Sequence, residues 1–406
     1  MDRRLVTILL IVFVQMVGAA MIMPILPLYA QREFGLSPEA IGLLVTSFFA
    51  AQFIAGPFLG RASDRFGRVP VLIISQIGTV ISFLMLAFAP AAIVLFLARI
   101  LDGLTGGNII VAQAYITDIT PKEKRTVALG YVFAVFGIGF IIGPALGGIL
   151  AAAFGPRVPY LIAAGAAAIV VLLTWFTLEE TVTPEQQEAV RTGSRGRLQV
   201  SQLIRNTPLL LILSVAFLGQ AGLGLLQATF SLYGEAVLFN DVSEEAALFG
   251  IGILLATIGL SQFITQAFFL RPALRRFGEY RLVIIGNIAR MGASFIYAVI
   301  TTPVLGAVAG MLFAFGIGTM MPSLQSLSTG TVEDESRGAV LGLYQSTISL
   351  SIIFSSAAGG VLFSIAPTRP YWAAGSLGAL ALIPAIILWR RYGTKKEVSD
   401  SPAMVK

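Results

Sequence analysis

Residues 60–72 read GRASDRFGRVPVL and form a charged break between two apolar segments, 38–60 and 69–90. Each apolar segment has about the twenty residues that an α-helix needs to cross a bilayer. The two glycines of the break allow a tight turn and close helix approach, and Asp64 can cap the following helix or pair with a neighbouring arginine. An ordinary charged hairpin between membrane helices would contain the same arginines, so they do not by themselves identify a function.

The same alternation of apolar runs and short polar breaks continues along all 406 residues, of which 56% are hydrophobic and only 12% are charged. Soluble domains contain roughly 25% charged residues, so this composition argues against a water-soluble fold. The apolar runs predict twelve membrane-spanning helices, at 5–29, 38–60, 69–90, 92–117, 125–153, 157–178, 208–235, 246–270, 281–302, 304–326, 338–364 and 370–390.

The basic residues predict the orientation of the chain. If the N-terminus is cytoplasmic, 22 of the 27 Lys and Arg residues fall in cytoplasmic segments. The positive-inside rule therefore predicts a multi-pass protein of the inner (cytoplasmic) membrane with both termini in the cytoplasm. Because topology accounts for the net charge of +6, we expect no nucleic-acid partner.

The chain contains no cysteine and no histidine. This removes disulfides, thiol chemistry and the commonest metal ligands, and it leaves no residues for a nucleophile and base pair. We therefore expect no metal, no cofactor and no enzymatic activity. The N-terminal segment begins with basic residues like a signal peptide, but its apolar run is too long and lacks a clear cleavage site, so we interpret it as the first span.

The chain also shows an internal repeat. A shift of 212 residues aligns Gly147-Gly148 with Gly359-Gly360, and a shift of 211 aligns Phe66-Gly67 with Phe277-Gly278. We predict two pseudo-symmetric six-helix halves, residues 1–180 and 208–392, joined by a cytoplasmic linker, 181–207, and followed by a cytoplasmic tail, 393–406. A parallel repeat of this kind is typical of alternating-access transporters, although a structural scaffold would also fit.

In the fifth predicted span, Gly139, Gly143 and Gly147 recur every four residues and so lie on one helix face. Small residues at this spacing let a second helix approach closely, and Pro144 favours a kink. A plain packing face would explain the spacing alone.

Taken together, these motifs resemble those of a known family. Gly60, Asp64, Arg65, Gly67 and Arg68 match the loop signature of the major facilitator superfamily. The group Gly139, Gly143, Pro144, Gly147 and Gly148 is similar to the signature of its antiporter branches, which are exporters. The resemblance, to twelve-helix drug:proton antiporters of the tetracycline and multidrug efflux type, implies an all-α membrane fold. It also implies that the loop latches the outward-facing state, with Asp118 and Arg125 as partners.

The fourth predicted span contains FLARILDGLTGGNII, residues 96–110. A charge near the bilayer centre costs at least ~2.5 kcal/mol, so Arg99 and Asp102 within one helical turn suggest mutual compensation or a proton site. Asp102 is the only acid that we place well inside the hydrocarbon, and Arg99 with Gly103 resembles the fourth-helix proton-transfer motif of proton-coupled antiporters. We interpret Asp102 as the proton carrier, tuned by Arg99; a purely structural ion pair is the alternative.

Substrate contacts are predicted from polar and aromatic residues in the spans. Spans one, four, seven and ten line the central cavity in the family that the chain resembles. The candidates are Gln15, Gln113, Gln227, Gln325, Phe230, Tyr233 and Arg290. Interhelical hydrogen bonding is the alternative for each amide, and Arg290 either snorkels or binds an acidic substrate group.

We thus predict a proton-coupled efflux transporter that acts as a monomer in the lipid bilayer. Its partners would be protons and an amphipathic or lipophilic small molecule, because aromatic residues and amides suit such a solute better than a sugar or a phosphate ester. The alternatives are an exporter or flippase of an endogenous lipid or metabolite, and a non-transporting sensor built on the same fold.

Overall fold

A computed structural model of the protein describes residues 3–106, 108–121, 125–182, 206–332 and 337–393. These residues are helical and contain no strand, which confirms the predicted all-α class. The α-helices are α1 Arg3–Ile22, α2 Leu26–Phe34, α3 Pro38–Phe66, α4 Arg68–Ala87, α5 Ala92–Thr105, α6 Asn108–Ile119, α7 Arg125–Phe154, α8 Val158–Thr177, α9 Thr207–Tyr233, α10 Glu244–Ile264, α11 Leu270–Tyr297, α12 Pro303–Thr329, α13 Arg337–Ile365 and α14 Arg369–Leu388. The predicted linker and tail lie almost entirely outside the described residues.

Each of the twelve predicted spans falls on one or more of these helices. Within the described residues, ten helical segments are long and apolar enough to cross a membrane. One of them, Glu244–Tyr297, has 54 residues and contains the eighth and ninth predicted spans, which a break at Gly278 separates. The fourth predicted span is divided between α5 and α6 and therefore does not appear as one segment.

Two predicted spans were wrong as single helices. In the first, the helix ends at Ile22 because Pro24 has no amide hydrogen and would clash with the preceding turn; α2 begins afresh at Leu26. In the fourth, α5 ends at Thr105, whose hydroxyl donates to the Leu101 carbonyl oxygen at 2.8 Å, immediately before two glycines. Glycine has one of the lowest helix propensities, so interrupting the helix at this position costs little free energy.

The helices contact one another within two groups, one in residues 3–182 and one in residues 206–393. In residues 3–182, α1 packs on α7 and α8, and α5 packs on α3 and α4; in residues 206–393, α9 packs on α13 and α14, and α11 packs on α12 and α14. The two groups meet mainly along two helix pairs, α3 with α13 and α7 with α10. Large apolar side chains such as Phe58, Ile74 and Phe176 remain 65%, 64% and 78% exposed on the outside, as expected for a surface in contact with lipid.

The internal repeat is visible in local geometry. Gly67 before α4 and Gly278 in α11, 211 residues apart, both adopt positive φ, of 103° and 72°. Both halves also place a tyrosine after a proline at the start of their sixth predicted span. Tyr160 packs on Tyr29 with ring centroids 5.5 Å apart, and Tyr371 packs on Tyr233 at 4.4 Å.

We call the end of the bundle that contains Gly67 and Arg68 the loop end, and the end that contains Arg32 the distal end. At the distal end the two halves are in direct contact. The hydroxyl oxygens of Thr46 in α3 and Ser356 in α13 are 2.8 Å apart. Near them, a Cβ on Gly360 would lie 2.2 Å from the Pro38 carbonyl oxygen, so the backbones of α3 and α13 touch.

Candidate functional site

The two charges of the fourth predicted span form a buried ion pair. Arg99 Nη1 donates to Asp102 Oδ2 at 2.9 Å, and the two side chains are only 13% and 11% exposed. The Arg99 guanidinium also lies 4.1 Å from the ring centroid of Phe48 in α3, which gives the cation an aromatic face. The structure therefore brings together the two residues that the sequence predicted as a pair.

Close helix packing holds this pair in place. A Cβ on Gly103 would lie 2.3 Å from the Phe48 carbonyl oxygen, so α5 approaches α3 backbone to backbone beside Asp102. From α4, the Thr79 hydroxyl group lies near the Asp102 carboxyl group and donates to the Ser75 carbonyl oxygen at 3.4 Å. Lying between α3 and α4, the carboxylate has the cation that a buried acid requires.

One further residue near the pair was missed by the sequence analysis. Tyr160 of α8 lies close to the Arg99 guanidinium, and its buried hydroxyl has no protein partner in the described residues. When Asp102 is protonated the ion pair loses its Coulomb attraction, and Tyr160 offers Arg99 a nearby polar oxygen. The repeated Pro-Tyr at 159–160 and 370–371 was the sequence signal that marks this position.

At the loop end, two of the predicted latch residues, Asp64 and Asp118, lie around Arg68. The guanidinium pairs with Asp64 Oδ1 at 2.6 Å and with Asp118 Oδ2 at 3.0 Å, and it donates to Ser63 Oγ at 2.7 Å. All of these residues belong to the N-terminal half. The network therefore links α3, α4 and α6 within one half in this conformation.

The sequence analysis did not find Glu180, which completes this network. Its carboxylate accepts hydrogen bonds from the backbone amides of Arg68 and Val69 at 2.9 and 3.0 Å, and so caps the N-terminus of α4. Of the two roles predicted for Asp64, capping this helix or pairing with a neighbouring arginine, the structure shows the second, with Arg68. Two observations favour glycine at position 67. Its φ of 103° is a conformation that other residues rarely adopt, and an added Cβ would lie 2.4 Å from Glu180 Oε2.

The other predicted latch residues are not part of this network in the described structure. Gly60 is inside α3 with nothing within 4 Å of an added Cβ, so the tight turn and close approach predicted there occur only at Gly67. The Arg65 guanidinium lies 5.2 Å from the centroid of the Phe66 ring. Arg125 begins α7, but its side chain lies outside the described part of the structure.

The glycine motif of the fifth predicted span forms two contacts. Gly139, Gly143 and Gly147 face α1 in the same half, where added Cβ atoms would lie 2.8, 2.6 and 2.2 Å from atoms of Met16, Ala20 and Met21. This confirms the predicted packing face, with α1 as its partner.

The second contact of this motif crosses to the other half. A Cβ on Gly148 would lie 2.8 Å from the Leu248 carbonyl oxygen, and one on Gly252 in α10 would lie 2.7 Å from the Pro144 carbonyl oxygen. We define this Gly148, Pro144 and Gly252 contact between α7 and α10 as the glycine seal.

An ion-pair cluster between the halves at the distal end was also missed. Arg32, in the last turn of α2, pairs with Glu235 in the π-helical turn that follows α9, and with Glu244 Oε2 at 3.2 Å. These ion pairs join the N-terminal half to the C-terminal half.

No hydrogen bond in the described residues joins any two of the predicted substrate residues. Gln15 is 8% exposed with Nε2 unpartnered, and the Oε1 of Gln227 is likewise buried without a partner. Gln113 and Gln325 are half-buried. These four amides therefore have hydrogen-bonding capacity available for a ligand.

The two predicted aromatic contacts serve packing in this conformation. The Tyr233 hydroxyl donates to the carbonyl oxygens of Tyr297 and Ile300 at 2.7 and 3.1 Å, and the side chain is fully buried. Phe230 packs edge-on to Tyr297 with centroids 5.7 Å apart. Their assignment as substrate residues finds no support in these contacts.

Arg290 of α11 is buried, with 4% of its surface exposed. Its Nη2 donates to the Gly219 carbonyl oxygen of α9 at 2.5 Å, while Nη1 has no hydrogen-bond partner in the described residues. A cation that is buried to this extent does not snorkel, so one of the two sequence interpretations is wrong.

Comparison with known proteins identifies the family to which the chain belongs. A sequence model described as Major Facilitator Superfamily matches residues 8–267 and 238–404, which together include both halves. The chain belongs to the Major Facilitator Superfamily. This membership places it among transporters rather than enzymes, in agreement with the prediction, and makes it a multi-pass membrane protein.

Relatives within the superfamily are drug-resistance proteins. The chain is 31% identical to the class E tetracycline resistance protein of Escherichia coli, over 92% of this chain and 90% of that protein. It is 28% identical to multidrug resistance protein 2 of Bacillus subtilis, over 92% of each chain. Among solved structures, the nucleoside transporter NupG superposes with a TM-score of 0.73 at 14% identity, over 96% of this chain and 99% of that one. This last likeness shows the superfamily fold.

Proposed function

We propose that this superfamily member is a proton-coupled efflux transporter that exports amphipathic or lipophilic small molecules by alternating access. The similarity to tetracycline and multidrug resistance proteins over about nine-tenths of the chain supports export of such solutes. The buried pair of Asp102 and Arg99 is the observation that supports coupling to protons. Intramembrane acids are costly, and a proton pathway is one of the functions that retain them.

In the proposed cycle, Asp102 is ion-paired with Arg99 when ionised and neutral when protonated. Proton uptake cancels the Coulomb attraction across 2.9 Å and changes the packing energy between α5 and its neighbours α3 and α4. Because α3 also packs on α13 of the other half, a change at this position reaches the interface along which the halves move.

We propose that the loop end faces the cytoplasm, in the inner membrane, with both termini on that side. The distal end, closed by the glycine seal and the Arg32 ion pairs, is then the outer end, and this conformation is inward-facing. In the outward-facing state, the network of Asp64, Arg68 and Asp118 would act as the latch at the cytoplasmic end. We expect the transporter to work as a monomer.

The proton assignment is tested with Asp102→Asn, which keeps the shape of the side chain and removes its charge. In proteoliposomes loaded with a fluorescent lipophilic drug, the wild-type protein should export the drug faster when a pH gradient is imposed. Asp102→Asn should abolish this acceleration, while Asp241→Asn, at an exposed distal-end position, should retain it. Undiminished gradient-driven export by Asp102→Asn would overturn the assignment.

The substrate class is tested separately. Deletion of the gene should sensitise the cell to several unrelated amphipathic drugs. A changed lipid composition without drug sensitivity would instead identify an exporter or flippase of an endogenous lipid.

A further inference from the structure

We propose that Arg290 is a recognition site for an anionic group, a carboxylate or its equivalent, on the transported solute. The proposal rests on the proposed function only in that it assumes a transported small molecule. It adds a chemical class to the substrate, an amphipathic molecule that contains an acidic group.

The first argument is an uncompensated charge. Arg290 is 4% exposed, and within the described residues no Asp or Glu lies within ion-pairing distance of it. Its hydrogen-bond partner is one carbonyl oxygen, that of Gly219; the guanidinium also lies 5.1 Å from the centroid of the Phe313 ring, and the Tyr344 hydroxyl group is nearby. A guanidinium has five N–H donors, so most of its binding capacity is unused, and Nη1 is buried with no partner at all. A buried charge in this state costs several kcal/mol unless something neutralises it.

The second argument comes from the internal repeat. The 211-residue shift that aligns Gly67 with Gly278 also aligns Thr79 with Arg290, and Asp102 with Phe313. The contacts agree with this alignment, because Thr79 lies near Asp102 in one half and Arg290 lies over Phe313 in the other. The same pair of positions therefore contains an acid in the N-terminal half and a cation in the C-terminal half.

The two halves differ in whether the buried charge has an oppositely charged residue beside it. Asp102 has Arg99 one turn away, whereas the position equivalent to Arg99 in the C-terminal half is Gly310. The N-terminal half thus contains a complete ion pair, and the C-terminal half contains only one member of such a pair. An anionic ligand would supply the missing member.

The third argument is the space around the guanidinium. It lies against Gly219 and Gly222 of α9, where added Cβ atoms would be 3.2 Å from Nη1 and 3.9 Å from Nη2. A Cβ on Gly316 of α12 would lie 2.4 Å from Arg290 Cγ. The glycines of both neighbouring helices therefore place no side chain of their own against Arg290, which is covered instead by the Phe313 ring and, at the Gly219 position, by Met320. Because α9 and α12 contain two of the predicted cavity-lining spans, an anionic group on a bound solute would approach from this side.

The test is ligand binding to the full-length protein in nanodiscs, with no pH gradient. The probes are benzoate, 2-naphthoate and 4-phenylbutyrate, each compared with its uncharged amide. The wild-type protein should bind at least one carboxylate more tightly than the matching amide. Arg290→Gln should weaken carboxylate binding by about tenfold to a hundredfold, the range for loss of a charge-assisted contact, and should leave amide binding unchanged. Arg290→Lys should restore part of the preference.

Two controls keep the result interpretable. Arg281→Gln removes a positive charge from an exposed position of the same helix and should not change the preference. The melting temperature of the ligand-free protein should not fall in Arg290→Gln, because an uncompensated charge has been removed. A large fall would show that Arg290 is structural and would overturn the proposal.

Three further outcomes distinguish recognition of a carboxylate on the solute from the alternative explanations. Equal binding of carboxylates and amides by the wild-type protein would overturn it. Stabilisation by sodium chloride that depends on Arg290, without any preference for carboxylates, would assign the site to a free inorganic anion and would also overturn it. A carboxylate preference that persists in Asp102→Asn, where gradient-driven export is lost, would support both proposals as independent.

Discussion

The glycine seal gives the sharpest test of how the two halves move. Replacing Gly252 with alanine adds a methyl group to α10 at a point where α7 leaves no room for it. The added Cβ would lie 2.7 Å from the Pro144 carbonyl oxygen and 3.1 Å from Gly148 Cα, whereas ordinary contacts begin at 3.4 Å. Both neighbours are backbone atoms that cannot rotate away, so α7 and α10 must separate by roughly 0.7 Å.

Overpacking of this kind costs about 1–3 kcal/mol. In the proposed alternating-access cycle α10 would move away from α7 when the distal end opens, so the cost would fall only on conformations in which that end is closed. At 1.4 kcal/mol per tenfold change, the closed population should fall relative to the open one by roughly fivefold to a hundredfold.

Double electron–electron resonance between two spin labels can measure this change in the closed population. The chain has no cysteine, so labelled cysteines can be introduced without first removing native ones. We suggest Phe154→Cys, at the distal end of α7, with Asp241→Cys in the other half; both positions are exposed. Gly252→Ala should enrich the longer distance. The matched control is Gly165→Ala in α8, where nothing lies within 4 Å of the added methyl group. Identical distance distributions for the two alanine variants would refute the reasoning.

The other predictions concern the two ends of the bundle. Arg32→Gln should also shift the spin distance towards the open form, by no more than a few-fold because the ion pairs are partly exposed, whereas Arg157→Gln, an exposed arginine 3.9 Å from its acid, should not. Gly67→Ala should lower the melting temperature by the equivalent of about 1–3 kcal/mol, because it forces positive φ on a side chain and displaces Glu180. A similar loss in Gly60→Ala, which has open space, would show that the effect is not local to Gly67.

The features that could be predicted from the sequence depend on residues that are close together along the chain. Apolar runs placed every span on a helix, and the spacing of Arg99 and Asp102 placed both charges on one helical turn, where the structure finds them 2.9 Å apart. The four-residue spacing of the glycines in α7 likewise predicted a packing face without naming its partner. In each case the information lies within a few residues of the chain.

The features that it could not predict join distant residues. Glu180 caps a helix that begins 112 residues earlier, and Arg32 pairs with Glu235, 203 residues away. No local pattern distinguishes these acids from any other at a span end. The break in the fourth span was predictable in principle, since Gly106 and Gly107 are adjacent, but hydrophobicity outweighed helix propensity in the prediction.

The composition of the glycine seal bears on how such a transporter can diversify. In the glycine seal the contacting atoms are carbonyl oxygens and α-carbons, whereas the candidate ligand contacts are amide and guanidinium side chains on other helices. A substitution that alters which solute is bound therefore leaves the closing surface unchanged, because the backbone is the same whatever side chain a neighbouring position has. Selection can act on solute preference and on the opening motion separately, so one closing mechanism can serve relatives that export quite different molecules.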